Sequence, residues 1–357
     1  MARERLETLA EKDNLVYIYT RLFDFSEKLK AEAVEATVLG AINGAFEQRG
    51  LQVPSKTLTF VPFRDTRQDQ IVAENKTKII YEEDLKRLNR CALIVGFLDG
   101  LSKDEGVCLE IGYAYGKGVP IIAVFTDFIQ SEYKGIPDST HITDPVILAM
   151  LSGHVQNTEV AGGSSPFKDR LQASFQDTLN QLNSLVQETL LEPDQERVVI
   201  PEGEKIDVYI DIGGGQYEWE RMMQTNLEKE LTDLGYSVEV SKRNSDLNLM
   251  QDESIPMQER ILRLGSRDID SARNAKIVIT CADMDEMSSG TAAIQGLARS
   301  LSKAVILLDT RTTDLVGDGG HRMSRNLMID YSANVVARSY KEIPSFVKAF
   351  MDKRNKS

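Results

Sequence analysis

At 357 residues the chain is long for one hydrophobic core and comfortable for two domains. Its formal net charge of -13 argues against a nucleic-acid backbone as partner, which would need clustered Lys and Arg. Cys91, Cys108 and Cys281 are scattered, no CxxC pair exists and His is scarce, so neither a zinc site nor a disulfide framework is expected.

The N-terminal stretch "MARERLETLAEKDN" lacks an apolar core for export, and no apolar run approaches the roughly 18 residues of a membrane span. A cytoplasmic protein is expected. In chain order, "LVYIYTRLF" reads as a strand and "SEKLKAEAVEATVLGAINGAFEQRG" as a helix with a glycine stop. "LTFVPF" reads as a further strand and "YEEDLKRLNRC" as a short helix. "ALIVGFL" is a buried strand, "GVCLEIGYAYGKG" a helix and "VPIIAVF" another buried strand. Strands that are continuously apolar and alternate with helices imply a parallel sheet covered on both faces. The helix-like "FKDRLQASFQDTLNQLNSLVQETLL" closes this first domain, and "LLEPDQERVVIPEGEK" reads as a linker.

The pattern then begins again with "IDVYIDIGGG", which places Tyr209 on an opening strand as "VYIY" places Tyr17. Residues 84–125 align without a gap on residues 268–309. Asp84 meets Asp268, Asp99 meets Asp283, Gly106 meets Gly290, Gly112 meets Gly296 and Ala114 meets Ala298. This is an internal repeat of a whole α/β domain. The expected fold is α/β, with two tandem flavodoxin-like or Rossmann-like domains at residues 1–192 and 203–357.

The two copies differ at their carboxylates. Asp104 becomes Ser288, Glu105 becomes Ser289 and Glu110 becomes Ile294. Glu110 lies within "VCLEIGYA", whose other residues favour burial, so its carboxylate costs desolvation free energy that Ile294 avoids. The acidic loop from Asp99 follows a strand, where parallel sheets bind ligands. No GxxxxGK[ST] or GxGxxG loop is present, and the acids would repel phosphate. Paired carboxylates in a pocket suit glycosyl chemistry, one attacking the anomeric carbon and one protonating the leaving group. Asp99, Asp104 and Glu105 would also suit a hard ion such as Mg²⁺, but no phosphate-binding loop accompanies them.

At these residues the sequence resembles the nucleoside 2-deoxyribosyltransferase family. The resemblance rests on Tyr17 and Phe23 in "VYIYTRLF", Asp84 in "YEEDL", Asp104 and Glu110 in "DEGVCLEIGYA", and an "NLM" segment. It implies that Glu110 is a nucleophile forming a covalent deoxyribosyl intermediate, and that Asp84 contacts the base and assists proton transfer. It further implies that Asp104 hydrogen-bonds a sugar hydroxyl and Tyr17 orients the nucleophile. Phe23 and Asp99 are expected to line the substrate site. The family needs no metal or cofactor, and its partners are nucleosides and nucleobases, with neither nucleic acid nor membrane.

The family enzyme is a short single domain in which a neighbouring subunit's Asn-x-Met completes each site. Here the first copy ends "DPVILAMLSGHV" without that Asn, and the second has "RNLMIDYSANVV" with Asn326 and Met328. A fused pseudo-dimer is expected, its second copy degenerate, with one site per chain and homo-oligomers of such chains as a further partner class. Two other functions stay open. One is hydrolysis of a nucleoside or nucleotide N-glycosidic bond, for which Arg21 and Ser26 in "TRLFDFSEK" are candidate phosphate ligands. The other is nucleotide binding without turnover, as a sensor or scaffold.

Overall fold

The computed structural model describes residues 2–10, 15–21, 25–54, 58–66, 71, 76–100, 103–127, 136, 141–160, 162–191, 205–213, 218–242, 246–282, 287–311, 315–316, 322–323 and 326–354. The first half runs α1 (Ala2–Ala10), β1 (Val16–Tyr19), α2 (Phe25–Gln48), β2 (Thr59–Phe60), α3 (Pro62–Asp65) and α4 (Lys76–Leu88). It continues with β3 (Leu93–Phe97), α5 (Glu105–Gly116), β4 (Ile121–Phe125), α6 (Pro145–Met150), β5 (Gly153–Gln156) and α7 (Phe167–Leu191). The second half begins with β6 (Ile206–Asp211), α8 (Glu218–Asp233), β7 (Val238–Val240), α9 (Leu247–Met250) and α10 (Met257–Asn274). Then come β8 (Ala275–Cys281), α11 (Ser289–Ser300), β9 (Ala304–Leu308), β10 (Leu315–Val316) and β11 (Arg322–Met323). The chain closes with α12 (Leu327–Ser332), β12 (Val335–Ala337) and α13 (Ile343–Arg354).

Among the described residues there are two five-stranded sheets, ordered β2-β1-β3-β4-β5 and β7-β6-β8-β9-β12, and every pairing in them is parallel. Numbered within each sheet, both orders read 2-1-3-4-5, so the α/β fold with flavodoxin-like sheets is present twice. The expected strand "LTFVPF" shrinks to Thr59–Phe60 because Pro62 cannot extend a ladder and instead opens α3. The short β5, buried only at Val155, and α6 carried too little pattern to be read from the sequence.

By its contacts the chain divides into two compact units. One comprises Met1–Lys103, Gly118–Ile129 and Leu151–Val199, and the other Asp104–Lys117, Gln130–Met150 and Ile200–Ser357. Thus α5 and α6 group with the second half. In the first unit, Val16 and Ile18, then Leu93, Val95 and Phe97, then Ile122 and Val124, alternate onto the sheet face that meets α1, α2 and α7. In the second unit, Val208 and Ile210, then Ile277, Ile279 and Cys281, then Ile306 and Leu308, do the same against α8 and α13. The same period-two set therefore drives burial in both sheets. Among the described residues no helix is long and apolar enough to cross a membrane.

Candidate active site

The helix α5 carries the buried glutamate. Asp104 caps it, its Oδ1 accepting from the Val107 N–H at 2.9 Å, which satisfies one otherwise open amide. Every residue from Gly106 to Ala114 is buried. Glu110 sits in the second turn, 6% exposed, while the aligned Ile294 of α11 is fully buried.

Within the second unit α5 and α11 pack backbone against backbone. A Cβ on Gly112 would fall on the Ala293 carbonyl, and a Cβ on Gly296 would fall on the Leu109 carbonyl. Leu109 aligns with Ala293 and Gly112 with Gly296, so each approach is the counterpart of the other and the helix pair has local two-fold character. The correspondence extends to the helix starts. Asn326 caps α12, its Oδ1 accepting from Met328 N at 2.9 Å, and a Cβ on Gly106 would lie 2.6 Å from its Nδ2. Asp144 stands before α6, accepts from Val146 N at 2.9 Å and lies against Gly290. "DPV" and "NLM" are therefore the same device on opposite sides of the pair, a match hidden in the sequence by different residue types.

Glu105 and Gln295 complete this arrangement. Glu105 accepts from Met287 N at 3.1 Å through Oε2 and from Asn326 N at 3.2 Å through Oε1. Gln295, fully buried on α11, accepts from the Thr280 hydroxyl at 2.7 Å. It donates to the Ile329 carbonyl at 2.8 Å and to the Ser332 hydroxyl at 2.7 Å, which anchors α12. The signal for Gln295 was an amide inside a helix of small apolar residues, where a buried polar group must be bonded. Met328 is buried, 4% exposed.

The remaining expected site residues belong to the first unit. Tyr17 is fully buried on β1, its ring 5.4 Å from that of Phe60. Asp84 on α4 is 4% exposed, and its Oδ1 has no hydrogen-bond partner among the described residues. Burial, and then the charge of Glu83, push its pKa up to about 8. The aligned Asp268 is satisfied, accepting from the Ser241 hydroxyl at 2.6 Å and from Lys242 N at 3.3 Å. Asp99 accepts from Thr126 N and the Thr126 hydroxyl, both at 2.6 Å, and from Lys30 at 2.9 Å. Burial would raise its pKa, but the Thr126 bonds and Lys30 outweigh this and hold it below the usual range. Phe23 lies outside the described residues. Among the described residues no group of three or more His, Cys, Asp or Glu is arranged to hold a metal ion.

Residues 41–153 match the family model described as nucleoside 2-deoxyribosyltransferase. This segment is a nucleoside 2-deoxyribosyltransferase family domain. It contains Asp84, Asp99, Asp104 and Glu110, whereas Tyr17 and the second half of the chain lie outside the match. No curated protein matches the chain. A crystal structure of a conserved protein from Enterococcus faecalis V583 aligns at 22% identity over 45% of this chain and 97% of that one, with a TM-score of 0.27. That score is too low to carry an argument. The family assignment thus rests on the matched segment.

Proposed function

We propose that the protein transfers a 2'-deoxyribosyl group between nucleobases through a covalent intermediate on Glu110. The observation that carries this reading is the burial of Glu110 within the family segment, at a place where the aligned α11 keeps an apolar Ile294. A carboxylate retained against its desolvation cost is suited to attack a carbon that develops positive charge.

In this reading residues 1–192 hold the nucleophile and residues 203–357 are a degenerate repeat that contributes Asn326 and Met328. The Glu110 carboxylate bonds to C1' of the deoxyribose as the N-glycosidic bond breaks. The electron pair of that bond goes to the base nitrogen, which takes a proton from Asp84. An acid with a pKa near 8 holds that proton at neutral pH. A second base then reverses the steps and releases Glu110. Asp104 accepts from a sugar hydroxyl, Tyr17 orients the nucleophile, and Asp99 shapes the loop after β3. No cofactor enters the reaction, and the protein acts in the cytoplasm in nucleotide salvage.

The test is intact mass after incubation with a 2'-deoxynucleoside, together with an exchange assay containing a different free base. A deoxyribosyl adduct absent from Glu110→Ala, with exchanged nucleoside in the assay, is expected. Free sugar without exchange would make the protein an N-glycosidic hydrolase, and binding without either product would make it a sensor or scaffold.

A further inference from the structure

We propose that Glu105 is a positioning residue, which holds Asn326 at the start of the helix that carries Glu110. The inference rests on the functional reading above for its substrate and on the second unit's geometry for its mechanism. The Glu105 carboxylate is divided between two backbone amides far away in sequence. Oε2 accepts from Met287 N at 3.1 Å, just before α11, and Oε1 accepts from Asn326 N at 3.2 Å, at the cap of α12. Asn326 is then held at three points. Its amide N–H is bound by Glu105, its Oδ1 by Met328 N, and its side chain lies over Gly106, where a Cβ would crowd it.

The opposite side of the helix pair supplies a natural comparison. There Asp144 caps α6 and lies against Gly290 as Asn326 lies against Gly106. The residue aligned with Glu105 is Ser289, whose side chain is too short for a two-oxygen clamp, and the residue aligned with Glu110 is Ile294. Both sides keep the glycine and the cap. Among the described residues, a carboxylate shared by two amides is seen only on the side with the buried Glu110. A residue needed merely to seat a cap on a helix start would be expected on both sides, since the packing is the same. The clamp goes instead with the nucleophile, which assigns it to the chemistry rather than to the fold. A charge-assisted acceptor shared by two amides fixes Asn326 more tightly than neutral contacts would.

The test is a double-mutant cycle on kcat and KM for base exchange, using Glu105→Ala, Asn326→Ala and the pair. Glu105→Ala should lower kcat/KM roughly tenfold or more, the scale of a hydrogen bond to a charged group. Glu105→Gln should lose less, because its one carbonyl oxygen still accepts one amide. The double variant should be no worse than Asn326→Ala. Additive losses, an unchanged Glu105→Ala or an unchanged Asn326→Ala would each overturn the proposal. Amide hydrogen exchange reads the clamp without substrate. Faster exchange at Met287 and Asn326 in Glu105→Ala supports it, and unchanged protection overturns it whatever the activity. A wild-type protein that exchanges no bases would therefore sink the transferase reading and leave the clamp to be judged by its amides.

Discussion

Glu110 and Asp84 are both buried acids, 6% and 4% exposed, and their burial has different consequences. Glu110→Ile copies position 294 and should abolish exchange while raising stability by about 1 kcal/mol or more, because an apolar side chain replaces a desolvated carboxylate. Activity and urea unfolding measured on one preparation check both halves, and a variant that keeps exchange would remove Glu110 from the chemistry. Asp84 predicts a pH dependence. Its carboxyl ionises near 3.8 when unfolded and near 8 when folded, so between those values the folded chain keeps a proton that the unfolded chain releases. Stability contributed here is intact below about pH 4, falls as pH rises and levels off above about pH 8, by up to about 1.4 kcal/mol per pH unit. Asp84→Asn should flatten that slope and slow transfer from bases that leave poorly. An unchanged slope in melting temperature against pH would remove the buried-acid assignment. Asp84 and Glu110 were legible as candidates from type and spacing. The Asp84 oxygen left without a partner among the described residues and the satisfied oxygens of Asp268 were not, because hydrogen-bond partners come from elsewhere in the fold.

Gly40 in α2 and Gly112 in α5 should respond with opposite signs to an added methyl group. On α2 a Cβ at Gly40 would meet only the Asn183 amide at an ordinary 3.4 Å. Gly40→Ala should therefore stabilise by roughly 0.5–1 kcal/mol through helix propensity. On α5 a Cβ at Gly112 would run into the Ala293 backbone, which cannot swing aside. Gly112→Ala should destabilise by about 1–3 kcal/mol despite the same gain in propensity. Urea midpoints of the two variants decide the matter, and a stabilised Gly112→Ala would mean that α5 and α11 do not pack this closely. Both glycines look alike in the sequence, as single breaks in a helical pattern. The partner that gives each its sign is a helix distant along the chain.

For the whole molecule, the grouping of α5 and α6 with the second half changes what a truncation should do. A chain ending near residue 192 keeps its first sheet and its α1–α2–α7 core but leaves the Gly112 face of α5 without α11. Such a fragment is expected to self-associate through α5, a second copy replacing the aligned helix, and to lack exchange because no Asn326 is supplied. Sedimentation of the fragment checks this, and a stable, active monomer would refute both the helix pairing and the shared site. The α/β class and the two parallel sheets were legible in the chain alone, since hydrophobic period, apolar runs and gap-free self-alignment are all read from residue order. Strand β5, the helix α6 and the equivalence of Asp144 with Asn326 were decided only by tertiary structure. So was the Glu105 clamp. Each of these is a relation between segments far apart in sequence, fixed by backbone approach and hydrogen-bond geometry that no local pattern encodes.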